Sequence, residues 1–567
     1  MPLPLTLPRI RHAAATPGQY ALALAIAAFL VLTLVLPVVT VVVVAFKDTT
    51  GGFTLVNFAD FFGNELFQRS FVNSVWVAVL TVALATVLAM PLAYFTARFE
   101  FRGSALIQTL GILPLIMPPF VGAVAMQLLL GRNGTVNLLL QDWFGFTIPF
   151  MEGLNGVIFV EAVHYFPFIL INVTASLRNI DRSMEEAAQN LGASGFRLFR
   201  RIVFPLSMPG YVAGAVLVFV KVFDDLATPL LLNVKDMLAP QAYLRVTSIG
   251  VADPIGYVIC VVLMLISVAS LGLSYAATAG KDYATVQRGG GGLTRRRMSR
   301  NEAIGAYAIV GLILALVLAP HAALLLLSFA TVWSFSPLPD AYTLAHYTRV
   351  FSDSAGYIWN TLLYASIAAG IDVLIGGAIA YLVLRTRLPM RHWLDAAAMA
   401  ALAVPGVVLG IGYLRAFYAV QLPGGQSLAT FWVMIAIALA VRRLPYALRA
   451  ADAALRQISV SLEEAAENLG ATKPRAVRRI VIPLMTGGIV AGFVTSFATA
   501  AVELSATLML VQSNSDAPLA YGIYVFMQSP AGRGAGAALG VLAVLLVGVC
   551  TYLSNRVAEN GNGSSHH

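Results

Sequence analysis

The sequence predicts an all-α membrane protein of two parallel repeats, six helices each and about twelve transmembrane helices in all. Three observations predict this. Hydrophobic residues make up 59% of the 567 and charged residues 11%, with a mean hydropathy of +0.81. A soluble domain averages about 25% charged, so lipid has to be part of this chain's solvent. The apolar residues fall in runs near the ~20 needed to cross a bilayer core. Finally, one polar segment occurs twice. Residues 185–214 read EEAAQNLGASGFRLFRRIVFPLSMPGYVAG and residues 463–492 read EEAAENLGATKPRAVRRIVIPLMTGGIVAG, an offset of 278 (463 less 185). That period is far too long for a solenoid. It marks a duplicated membrane unit whose polar segment contacts a partner.

Taken in order, apolar runs place spans near 20–46, 70–96, 105–130, 155–176, 208–233 and 254–278, then near 303–330, 358–383, 393–419, 428–450, 486–511 and 535–555. The first run is long and has no small-residue cleavage site, so it reads as a retained helix rather than a signal peptide. The expected division is a first unit over 1–280, a Gly/Arg-rich cytoplasmic linker over 281–302, a second unit over 303–557, and a tail over 558–567 that reads as a tag remnant. His566 and His567 are therefore not ligands.

Orientation follows from Lys and Arg. With the N-terminus and its Arg9 and Arg11 inside, the inner loops hold Arg98, Arg102, Arg178, Arg182, Arg197, Arg200 and Arg201. They also hold the linker arginines, then Arg385, Arg387, Arg391, Arg456, Lys473, Arg475, Arg478 and Arg479. Outer loops keep only scattered charges such as Lys47, Arg69 and Arg132. An even helix count returns the C-terminus to the cytoplasm. The net charge of +9 is thus spread between apolar runs, which excludes a nucleic-acid partner. The two cysteines, Cys260 and Cys550, lie in apolar runs and form neither a disulfide framework nor a metal site.

The repeat extends beyond the polar segment. Pro167 and Pro445 keep the offset of 278, while further upstream it becomes 287, matching Asn73 with Asn360, Arg98 with Arg385 and Pro118 with Pro405. The difference is a longer outer loop around 131–154 in the first half. Six spans per unit give both copies the same orientation, so the repeats are parallel.

In the repeated segment, Glu185, Glu186, Ala187 and Ala188 open a helix that Gly192 ends, and Glu463, Glu464, Ala465, Ala466 and Gly470 repeat it. Small alanines allow another protein surface to approach closely. The pattern Glu-Ala-Ala, three residues, Gly, nine residues, Ile, two residues, Pro fits Glu186 to Pro205 and Glu464 to Pro483. It resembles the signature loop of permease subunits of binding-protein-dependent ABC importers of type I. Phe204 and Ile482 stand where that family usually has Leu.

The resemblance implies that each loop is a coupling helix docking on a nucleotide-binding subunit. It further implies a homodimeric ABC ATPase partner, a periplasmic or lipoprotein solute-binding protein, and an address in the bacterial inner membrane. The fused double form is similar to ferric-iron, thiamine, polyamine and 2-aminoethylphosphonate permeases. VRRLPYALRA (441–450) and VELSATLML (502–510) look most like the iron and aminophosphonate branch. The chain has no GxxxxGK[ST] loop, so ATP belongs to the partner; the chain itself carries no catalytic residue or cofactor.

Ionisable residues at membrane depth face a cavity or a partner. Here they are Glu161, His164, Asp224 and Asp225 in the first half and Arg442, Arg443 and Glu503 in the second. By the offset of 278, His164 matches Arg442 and Asp225 matches Glu503. Two readings stand: a polar translocation path for a small solute, or ion pairs that lock adjacent helices. Arg415 reads as an outer contact or a snorkelling side chain, and His321 and His346 as interfacial. The rival from another class is an ion-coupled secondary transporter using Asp225 and Glu503, which would have no need of the twin loops.

Overall fold

The structure, a computed structural model, describes residues 16–48, 50–100, 102–180, 182–278 and 297–563. Arg9, Arg11, His566, His567 and most of the linker lie outside these residues.

The first half contains α1 (Pro17–Ala45), α2 (Val56–Gly63), α3 (Glu65–Arg98), α4 (Ser104–Leu115), α5 (Pro119–Leu130) and α6 (Thr135–Phe144). It continues with α7 (Gly153–Asn179), α8 (Arg182–Asn190), α9 (Phe199–Asp224), α10 (Ala227–Leu231), α11 (Leu238–Ser248) and α12 (Pro254–Thr278). The second half repeats the order: α13 (Arg300–Phe329), α14 (Ala345–Asp353), α15 (Ala355–Arg385), α16 (Arg391–Ala403), α17 (Gly406–Phe417) and α18 (Trp432–Gln457). Then come α19 (Val460–Asn468), α20 (Lys473–Leu484), α21 (Thr486–Ala501), α22 (Ser505–Leu510), α23 (Leu519–Met527) and α24 (Arg533–Gly563).

The starts of the long helices are chemically marked. Asn64 accepts the Leu66 N–H at 2.9 Å to cap α3, and Ser299 with Glu302 forms a capping box on α13.

Eight of these helices are long and apolar enough to cross a membrane, or eleven if each bent pair is one span. The tenth expected span is α18, whose Arg442, Arg443 and Arg449 keep it out of that tally.

The structure corrects four spans. The third and ninth are not straight: α4 meets the stretch Pro119–Phe144, α5 with α6, at 99°, and α16 meets α17 at 109°. Pro118 and Pro405 sit at these breaks, and a proline disfavours helix at the residue before it. The fifth and eleventh end early, at Asp224 and Ala501, because Asp225 and Glu503 leave the helix and start the short α10 and α22.

The repeat is also seen in hydrogen bonding. Asn73 Nδ2 donates to the Asp236 carbonyl at 2.9 Å, and its counterpart Asn360 donates to the Ser515 and Ala517 carbonyls at 2.7 and 3.0 Å. One residue on, Ser74 Oγ accepts from Leu238 N at 2.8 Å and Thr361 Oγ1 from Leu519 N at 2.6 Å. A buried polar residue early in each long helix thus ties down the loop before α11 and α23.

Compact units in space do not follow the sequence halves. One contains 1–43, 355–521 and 545–567; the other contains 44–354 and 522–544. In the first unit, Ala23, Ile26 and Leu30 of α1 share a core with Ile379, Leu394, Leu444, Leu448 and Met485. In the second, α13 packs on α3, α4 and α5. Each unit therefore includes a long helix from the other half of the sequence, α1 in the first and α13 in the second.

Candidate functional site

The repeated loops fold alike. Each motif helix, α8 and α19, ends in a Schellman cap. Gly192 N–H bonds the Gln189 carbonyl at 2.9 Å and Ala193 N–H the Ala188 carbonyl at 3.0 Å; Gly470 to Glu467 and Ala471 to Ala466 repeat this at 2.9 Å each. The glycines have φ of +85° and +86°, and a Cβ on either would meet nothing within 4 Å. Glycine is needed there for its backbone angle rather than for room.

One turn of helix divides the motif between two tasks. Glu463 is buried and Glu185 half-buried. Arg385 reaches Glu463 at 2.7 Å and donates to the Leu455 and Ile458 carbonyls at 3.2 and 2.7 Å. Arg98, its counterpart, meets Glu185 and donates to the Leu177 carbonyl at 3.1 Å. An arginine at the end of α3 or α15 therefore holds the first glutamate of each motif and the end of the preceding long helix.

The outward face is Glu186, Ala187, Leu191 and Gly192 in one loop and Glu464, Ala465, Leu469 and Gly470 in the other, all exposed; Ala188 is buried and Ala466 half-buried. Leu191 is 90% exposed and Leu469 89%. Sequence reading missed both leucines and the arginine–glutamate ties. The arginines and glutamates recur in step, which is a signal, but the pairing is a contact between distant residues. A leucine in the sequence carries no mark of whether it is buried or exposed.

The membrane-depth charges of the second half come together. Arg442 Nη1 lies 2.6 Å from Glu503 Oε1, with side chains 8% and 3% exposed. Glu503 also accepts the Ala506 and Thr507 N–H groups at 3.1 and 3.4 Å, so it caps α22. The guanidinium lies against Gly406 at the start of α17, where a Cβ would strike it. Arg443 is within electrostatic reach of Glu503 and of Asp372, a fully buried residue of α15 that accepts the Ser496 hydroxyl. Asp372 was not picked out from the sequence.

In the first half Asp225 plays the part of Glu503. It accepts Ala227 N–H at 3.0 Å, Thr228 N–H at 3.3 Å and the Thr228 hydroxyl at 2.5 Å, capping α10. Asp224 is half-buried. His164 takes the place of Arg442 and faces a small cavity shared with His321. His321 lines that cavity beside His164. Both oxygens of the fully buried Glu161 lack a hydrogen-bond partner.

The family of binding-protein-dependent transport system inner membrane components matches residues 85–279 and 372–561, once in each half of the sequence. The chain belongs to this family. It is a multi-pass inner-membrane permease of an ABC importer, with a solute-binding protein as partner, and it is not itself an enzyme. The permease is 29% identical over 475 residues to the ferric transport system permease protein FbpB of Actinobacillus pleuropneumoniae, covering 81% of this chain and 67% of that one. It is 23% identical over 498 residues to the Fe(3+)-transport system permease protein FbpB 2 of Haemophilus influenzae, covering 87% and 90%. A molybdenum transport system permease protein, ModB of Haemophilus influenzae, is 40% identical over 148 residues, 26% of this permease and 64% of ModB.

Proposed function

We propose that this permease moves ferric iron from its binding protein to the cytoplasm. The observation that carries this reading is the likeness to iron permeases along most of the chain, both halves included. The molybdenum permease is more alike but over about a quarter of the chain, which makes an oxyanion the second reading. Uptake decides between them. Cells carrying the permease with its neighbouring binding protein and ATPase should accumulate radiolabelled ferric iron in an ATP-dependent way. Accumulation of labelled molybdate instead would overturn the iron reading, as would transport of 2-aminoethylphosphonate, a polyamine or thiamine.

In this reading α8 and α19 dock on two copies of one ATPase subunit. ATP closes the ATPase dimer, draws the two helices together and opens the path to the docked binding protein. Arg98 and Arg385 carry that movement into α3 and α15 through Glu185 and Glu463. Asp225 and Glu503 spend their oxygens on the capped helices α10 and α22, which favours a locking role for them over a solute-binding one.

Both termini are cytoplasmic in this reading, as the arginine bias requires. Single cysteines at Asn64 and Asp142 should react with an impermeant reagent added outside, and one at Glu467 should react only after the membrane is opened. Outside labelling at Glu467 would reverse the topology.

A further inference from the structure

Between α6 and α7 the first repeat carries the sequence QDWFGFTIPF, residues 141–150, exposed without a break. Five of these ten residues are large and apolar: Trp143, Phe144, Phe146, Ile148 and Phe150. Trp143 is 72% exposed and Phe144 66%. The rings of Trp143, Phe144 and Phe146 follow one another with centroids 6.4 and 6.2 Å apart, so they form one aromatic cluster. Phe150 stands edge-on to Phe159 of α7 at 5.0 Å.

The stretch is built, not loose. The buried Asn137 of α6 donates to the Leu130, Gly131 and Ile148 carbonyls at 3.2, 2.8 and 2.9 Å and accepts the Ile148 N–H at 2.7 Å. Gly145 N–H closes α6 on the Gln141 carbonyl at 3.0 Å. The Thr135 hydroxyl donates to the Pro337 carbonyl at 2.7 Å, and Phe335 and Leu338 on either side of that proline are exposed as well. The polar groups of the loop are thus turned inward while its rings are turned out.

A contiguous apolar surface of this kind marks a contact with protein or with membrane. Depth and composition decide for membrane. Arg178 lies in the last turn of α7, where the α8 loop begins. From Arg178 back to Phe159 is 19 residues (178 less 159), about 28 Å of helix at 1.5 Å per residue. A bilayer core is ~30 Å thick, so Phe159 and the Phe150 ring beside it lie at the boundary opposite the α8 loop. Trp settles by preference at such a boundary, and Trp and Phe make the apolar faces of interfacial segments. A protein-docking face would carry a polar rim, whereas Asp142 is the single charge between Gly134 and Met151. The corresponding loop of the second repeat, 418–431, has no aromatic residue between Tyr418 and Phe431. The rings came with the extra residues of the first repeat.

We propose that residues 141–150 are an interfacial anchor whose partner is the phospholipid surface, with the Trp143, Phe144 and Phe146 rings seated in the headgroup layer. The anchor fixes the level of the α5–α7 corner in the bilayer. The inference is independent of the iron reading, because it is measured without transport and without a solute.

The test uses the full chain in phosphatidylcholine nanodiscs. A nitroxide is attached at Phe146→Cys on a Cys260→Ala, Cys550→Ser background, and a second chain carries it at Gln426→Cys in the corresponding loop of the second repeat. Collision with oxygen, which concentrates in lipid, is compared with collision with a water-soluble nickel complex. The oxygen-to-nickel ratio should be several-fold higher at 146 than at 426. Equal, water-like ratios at the two positions would overturn the proposal. So would a nitroxide at 146 that is wet in the free permease and shielded only when the solute-loaded binding protein is added, which would make the face a protein dock. If the labelled chain fails to fold, Trp143 emission decides, read as the parent spectrum less that of Trp143→Phe. Lipids brominated near the head of the acyl chain should quench it and aqueous iodide should not; the reverse would overturn the anchor.

Discussion

Replacing Arg442 by Ala is expected to destabilise the permease by roughly 3–5 kcal/mol, the cost of removing one partner from a buried ion pair. Arg442 and Glu503 are 2.6 Å apart and almost wholly buried, and the lost guanidinium would leave a carboxylate in a low-dielectric site. Two backbone N–H groups would still hold that carboxylate, which places the loss nearer the lower figure. Glu503→Ala removes the pair and the α22 cap together and should cost at least as much. Arg442→Met with Glu503→Leu replaces the pair by apolar groups and should cost less than either single change. The exposed Arg415 gives the control: Arg415→Ala should stay within about 0.5 kcal/mol. Thermal unfolding of purified protein in detergent reads all four. If Arg442→Ala and Glu503→Gln leave unfolding unchanged while uptake is lost, the pair belongs to the path and the lock is refuted.

The pairing of Arg442 with Glu503 was half legible in the sequence. Residues 61 apart in number fell on successive spans as an opposite-charge couple, and the structure joins them. The matching couple in the first half, His164 and Asp225, looked the same but resolves differently, since Asp225 turns to α10 and His164 to a cavity. A charge pattern names the groups that need a partner without saying which partner each will find.

The long helices were legible because a lipid-facing run has no other stable backbone state. The breaks at Pro118 and Pro405 carried a signal, a proline within an apolar run, that hydropathy alone does not weigh. Arg98, Arg385 and Asp372 were out of reach because their partners lie 78 to 124 residues away, on helices whose neighbours only the tertiary fold decides. The same holds for His321, whose helix α13 packs in a unit built mainly from the other half of the sequence.

Asp in place of both Leu191 and Leu469 should all but abolish ATP-driven uptake while leaving the permease inserted and folded. Each leucine stands at the C-terminal end of its motif helix, 90% and 89% exposed, in loops otherwise rich in charge. A lone exposed leucine needs no explanation. Two at repeat-related positions, each beside an exposed Glu-Ala and a left-handed glycine, describe a small apolar knob on a polar surface, the form an interface anchor takes. Burying one leucine side chain in a groove of a partner contributes about 1.5–3 kcal/mol. Losing it, with a carboxylate in its place, should weaken docking roughly 10- to 100-fold per loop, at 1.4 kcal/mol for each factor of ten. If, as proposed, both loops grip one ATPase dimer, a single change should leave partial assembly and the double change very little. The Schellman caps predict a companion result. Gly192→Val with Gly470→Val keeps the leucines but forces a β-branched residue to φ near +85°, so it should misplace the knobs and cut uptake in the same direction. Copurification of the ATPase and its solute-stimulated turnover should fall together with uptake. If the double aspartate chain still copurifies with the ATPase and transports at the parent rate, the leucines are not anchors and docking rests on Glu186 and Glu464, whose change to Lys would then be the decisive variant.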